Sequence, residues 1–146
     1  MSEPTAGVAT RCHHDTTDCS RCELLVGLDG LHVTAVELSH DVGLTVYVES
    51  GLAPMGCPAC GVMAGSHGRR DVGLVDAPCF DRPVRVVWRK RTWRCDEPPT
   101  TVFTEQDHGV AAPRALLTTR ARWWAINQIR REHASITGLA RQLGTT

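Results

Sequence analysis

The sequence predicts a small α+β protein, with a β-rich first part and a short helical end. Two observations predict it. The hydrophobic period is near two from Leu31 to Thr104 and near four beyond Pro113. Turn residues and cysteines punctuate the β-rich part, whereas helix-capping residues punctuate the end. The chain has 146 residues, 42% hydrophobic but only 5% aromatic. That composition supports one modest core or two very small modules, and cores of this size commonly lean on metal or disulfides.

Residues 1–22 are polar and lack periodicity, which reads as a flexible tail. From residue 23 the texture changes. Leu31-His32-Val33-Thr34-Ala35 and Leu44-Thr45-Val46-Tyr47-Val48-Glu49 both alternate, and the turn-forming stretch 39–43 lies between them. Together they predict an antiparallel hairpin. An isolated hairpin is marginal in water, so it must pack on the downstream part of the chain. A Gly/Pro-rich turn around Cys57 comes next, then a loop holding Gly65, Gly68, Arg69 and Arg70.

The run from Val84 to Cys95 is rich in β-branched and aromatic residues and predicts a long strand. Val84, Val86, Trp88, Lys90 and Thr92 share its better packing face. Val102-Phe103-Thr104 can pair back on it across Pro98-Pro99. Domain boundaries therefore fall at 23–110 for the β region and 111–146 for the helical region. In the latter, Leu116, Leu117, Arg120, Trp123, Trp124, Asn127 and Ile129 lie along a helix of about 18 residues, with Trp123 and Trp124 expected in the core. Ser135 then caps a short helix whose stripe is Ile136, Leu139, Ala140 and Leu143, closed by Gly144. A short helix with small residues in its stripe, then Gly and Thr, reads as the first half of a helix-turn-helix.

Seven cysteines, two pairs of them spaced C-x-x-C, fit reduced thiols better than a secreted disulfide framework. With no apolar leader and no run long enough to span a bilayer, the expected location is cytoplasmic, with no membrane partner. Cys57-Pro58-Ala59-Cys60 in a Gly/Pro turn has the form of a zinc knuckle, and Cys95 closes a strand just before a second turn. Two knuckles joined by antiparallel strands make a zinc-ribbon-like β region. Zinc at Cys57, Cys60 and Cys95 is one reading, with Cys79 as the fourth ligand and His67 and His108 next in line. A degraded site and a redox dithiol are the alternatives. Cys12, His13, His14, Cys19 and Cys22 form a second cluster able to chelate a metal.

The formal charge is zero but unevenly placed. Residues 1–56 carry eight acids against two arginines, and residues 111–146 carry six arginines against Glu132. A basic C-terminal third is the footprint of a polyanion partner. Arg85, Arg89 and Arg91 on the long strand, with Arg120, Arg122, Arg130 and Arg131 in the helical region, are the expected phosphate contacts on double-stranded DNA. The scattered acids offer no catalytic constellation, so the chain reads as a non-enzyme.

The order of CPACG, DAPCFDRPVRV, WRKRTWRC, VFTEQ and SITGLARQLGTT resembles the N-terminal region of transposases of the ISL-three insertion-sequence family, over residues 24–146. The resemblance implies a zinc-finger domain followed by a helix-turn-helix, recognising the terminal inverted repeats of a mobile element. Of the family's zinc ligands it carries over Cys57, Cys60 and Cys95; the fourth, a few residues later, is replaced by Asp96-Glu97-Pro98-Pro99. The family's catalytic domain would lie beyond Thr146, so a DNA-binding fragment without it is the expectation. The alternatives are a stand-alone zinc-ribbon regulator, binding nucleic acid or a protein partner, and a non-functional remnant.

Overall fold

A computed structural model describes residues 10–13 and 20–145, with side chains from residue 22 onward. It is a mixed α+β structure. Strand β1 (Thr10–His13) precedes helix α1 (Ser20–Val26), followed by β2 (Leu31–Ser39) and β3 (Gly43–Ser50). Strands β4 (Gly65–Cys79), β5 (Arg82–Cys95) and β6 (Thr101–Thr104) come next, then helices α2 (Thr119–Glu132) and α3 (Ile136–Gln142).

All six strands join one sheet in the order β1-β2-β3-β5-β4, with β6 also on β5. The expected hairpin is β2–β3, in register from Leu31↔Ser50 to Ser39↔Gly43. Its support is lateral: β3 runs parallel to β5 from Leu44↔Val84 to Glu49↔Arg89. One edge of β5 therefore meets β3 along its first half and β6 along its last four residues, while β4 lines the other edge. The turn into β3 needs glycine. Gly43 has φ +89, and a Cβ there would lie 2.4 Å from the Pro83 carbonyl oxygen.

Strand β4 corrects the loop expected around Gly65 and Arg70. Its first seven residues are all exposed, so no alternation marks them, and Gly65, Gly68 and Gly73 further dilute the β signal. The flexible-tail expectation for residues 1–22 also changes. Thr10–His13 pairs antiparallel with β2, and Ser20 opens α1.

One face of the sheet carries the core in cross-strand rows. Val33, Val48, Trp88 and Val72 make one row; Val36, Val46, Val86 and Leu74 make the next. Cys22, Val26, Leu28, Val110 and Ala111 pack over them. Val84, Val86 and Trp88 are buried, as the packing-face reading of β5 requires.

Two acids within the sequence motifs anchor this body. Asp76, 1% exposed, accepts hydrogen bonds from Thr118 Oγ1 at 2.6 Å, from Arg120 Nε at 2.9 Å, and from the Ala77 amide. Thr118 in turn caps α2 by accepting from the Ala121 amide at 3.1 Å. Arg120 Nη2 also donates to Asp76, and Nη1 to the Val26 carbonyl. One part-buried ion pair thus ties β4, α1 and the start of α2 together. Glu105, 6% exposed, accepts from the Arg91 amide at 2.7 Å and from Ser50 Oγ at 3.0 Å. Ser50 Oγ itself receives the Trp88 indole N–H at 3.1 Å.

The helices are shorter than their sequence pattern. Helix α2 has 14 residues, starting at the Thr118 cap rather than at Leu116. Trp123 is 53% exposed, so it is not the core residue expected. Helix α3 starts after Ser135, whose hydroxyl accepts from the Gly138 amide at 3.0 Å, as its cap position predicts. Leu139 and Leu143 are buried, while Ile136 is 71% exposed.

Candidate metal centre and basic surface

The knuckle is built by backbone geometry. The Cys57 amide donates to the Val62 carbonyl at 2.8 Å, and the Gly61 amide donates back to the Cys57 carbonyl at 2.8 Å. Gly61, at φ +76, makes the reversal that a side chain would strain. Just outside, Gly56 bridges Met63 and the Ala64 amide reaches the Met55 carbonyl at 2.9 Å. This closed turn aims Cys57 and Cys60 at Cys95, the last residue of β5, which is held opposite Thr101 by β6.

The three sulfurs lie within 4.8 Å of one another, with Cys60 and Cys95 at 3.5 Å. Tetrahedral zinc, with bonds of about 2.3 Å, sets neighbouring sulfurs about 3.8 Å apart, so the cluster has the spacing to hold a metal ion. The electrostatics point the same way. Amides of Ala59 and Cys60 pull the Cys57 thiol below its ordinary value, against the opposing effect of burial. At Cys95 the Glu97 amide acts to lower the value, but burial and the neighbouring Cys60 and Cys57 sulfurs outweigh it and push the thiol up to about 11. Three adjacent sulfurs resist shedding all their protons together, and a cation removes that repulsion.

Cys79 does not join them. It pairs with Arg82, at the far end of the β4–β5 hairpin, whereas Cys95 ends the 14-residue β5. At about 3.3 Å per residue the two cysteines stand roughly 40 Å apart. His67 is closer, in the irregular step of β4 between Ser66↔Trp93 and Gly68↔Thr92. Neither it nor His108 contributes to the cluster: among the described residues, Cys57, Cys60 and Cys95 alone form such a group. Of the second cluster, Cys19 and His14 lie outside the described residues, as do the side chains of Cys12 and His13. Cys22 packs against the sheet core.

The arginines divide into two sets. Arg91 is buried, with Nη2 donating to the Ser50 carbonyl at 3.1 Å, and Arg120 is committed to Asp76 and Val26. Burial removes Arg91 from the expected phosphate contacts, whereas Arg120, engaged by Asp76, keeps 39% of its side chain exposed. Arg85 Nη2 reaches the Gly144 carbonyl at 3.2 Å and holds the end of α3. Arg89 is exposed but stands between Glu49 and Asp71 in cross-strand register, which offsets its charge. Arg122, Arg130 and Arg131 are exposed on α2, with the Arg122 guanidinium 5.7 Å from the Trp123 ring centroid. Arg69 and Arg70, absent from the expected set, are exposed on β4. Their adjacency in an apolar-poor stretch was the signal.

No family model matches the chain, and no curated protein or solved structure matches it either. No described helix is long and apolar enough to cross a membrane. What the geometry offers is a three-cysteine cluster able to hold a metal ion, and a helix carrying three exposed arginines.

Proposed function

We propose that the chain is a zinc-stabilised DNA-binding module, corresponding to the N-terminal part of an insertion-sequence transposase. The observation that carries this reading is α2. Arg122, Arg130 and Arg131 project from one 14-residue helix, and among the described residues no salt bridge engages them. Arginines left free on a helix are available for phosphate oxygens, and Trp123 beside Arg122 adds a flat surface for sugar or base.

Zinc is the metal best matched to a thiolate cluster on a Gly/Pro knuckle, where its role is to hold a turn. Here it would be held by Cys57, Cys60 and Cys95, fixing the far end of β5 against the 51–64 segment. The resemblance to the ISL-three family supplies the target, the inverted repeats at the ends of a mobile element. The intended partner is double-stranded DNA, and the setting is the cytoplasm.

A second reading has its own support. Trp123, Ile129 and Ile136 are large apolar residues exposed on α2 and at the start of α3. Such a surface suits a protein partner, as for a stand-alone regulator.

Fluorescence anisotropy with labelled duplex DNA over a salt series separates the two. The DNA reading expects binding that weakens steeply with salt. Removing Arg122, Arg130 or Arg131 should each lower the log–log slope by about one. Binding by the triple alanine variant that matches the parent at low salt would contradict it.

A further inference from the structure

We infer that the metal centre is coordinatively open, with three cysteine thiolates and one exchangeable position that takes a monodentate thiol from outside the cluster. The inference rests on the metal-binding reading of these cysteines and extends it. Three observations carry it. Cys57, Cys60 and Cys95 converge, and among the described residues no other Cys, His, Asp or Glu places a ligand atom with them. Cys57 and Cys95 are buried whereas Cys60 is exposed, so the cluster has one solvent-facing side. Of the residues following Cys95, Asp96 turns to Arg94, its Oδ1 accepting from Nε at 2.7 Å, and the strand resumes at Thr101 opposite Cys95.

Zinc completes a four-coordinate shell, and structural sites close it with four protein ligands. A site offering three leaves one position for a molecule from solution. Three thiolates make the site soft and more than offset the charge of a divalent ion, so bound water would be poorly activated and a soft sulfur donor suits the remaining position. The ligand class is therefore a thiol, whether a small one in solution or a cysteine of a partner chain. With a metal held by Cys57, Cys60 and Cys95, an added thiol would bond to it through sulfur, giving its proton to solvent and displacing a water molecule, with nothing oxidised or reduced.

Cobalt(II) reports this directly, because its visible bands follow coordination number and donor type. The full chain is loaded with cobalt, then titrated with 2-mercaptoethanol, in parallel with His67→Ala. The open site predicts a saturable shift and intensification of the visible bands with one thiol per metal. His67→Ala should show the same starting spectrum and the same shift. Cobalt uptake with bands that ignore added thiol would overturn the open position, since the chain itself would then fill it. A changed starting spectrum in His67→Ala would overturn it too and name the closing ligand. Absence of cobalt uptake would sink the metal centre itself, and the open position with it. If an external cysteine of a second chain is the natural donor, the untitrated spectrum depends on protein concentration; if a small thiol is, it does not.

Discussion

The two halves of β5 are held by different physics. From Val84 to Trp88 the strand buries alternate apolar residues beneath the packed face, between β3 and β4. Beyond Trp88 the buried side changes: Lys90 and Arg91 are both buried, and Trp93 and Cys95 continue on the face of Arg91. There β3 has ended and β6 has taken its edge. The first half is a hydrophobic core. The second is fixed by hydrogen bonds to Glu105 and Gln106 and by the cysteine knuckle. A strand can leave the core and remain ordered where polar anchors and a cysteine cluster replace apolar area.

Disrupting the first half should cost most. Trp88 is 1% exposed at the centre of the sheet, and Trp88→Ala should destabilise the whole chain by about 3–5 kcal/mol. Denaturant unfolding followed by circular dichroism measures it. The lost bond to Ser50 Oγ adds to the cavity. Glu105→Ala addresses the junction of the halves and should cost about 1–3 kcal/mol, because it strands the buried Arg91 amide and the Ser50 hydroxyl. A cost near zero would show that the polar anchor is dispensable.

Metal removal should act locally. Chelation is expected to raise amide hydrogen exchange in 55–64 and 92–104 while 31–36, 44–48 and 84–88 stay protected. Uniform loss of protection would mean that the halves fold as one unit. The smallest effect belongs to the helix start. Thr118→Ala removes the cap and the partner of Asp76, and should cost about 1–2 kcal/mol in the same unfolding assay.

The same contrast explains what could be read from the chain. Alternation exposed β2, β3 and the apolar half of β5, since one face of each meets the core. Ser135 announced α3 through its cap. Strand β4 was hidden because its exposed half, Gly65 to Asp71, buries nothing and leaves no periodic trace. Arg91 and Arg120 looked like free surface cations because a guanidinium engaged within the fold has no sequence mark; only Asp76 and the Ser50 carbonyl, distant in sequence, reveal their use. Asp76 and Glu105 stood in recognisable motifs, but their task as anchors required the fold. For the metal site, the local C-x-x-C turn and Cys95 were legible. The choice of Cys79 failed because a long hairpin separates residues that look close in sequence.

The cysteine centre stands or falls on metal content per chain. Protein purified without chelator should carry about one equivalent of zinc, lost in Cys57→Ser and in Cys95→Ser and retained in Cys79→Ser. Zinc that is absent from the parent, or that disappears in Cys79→Ser while surviving in Cys95→Ser, would refute a site built from Cys57, Cys60 and Cys95.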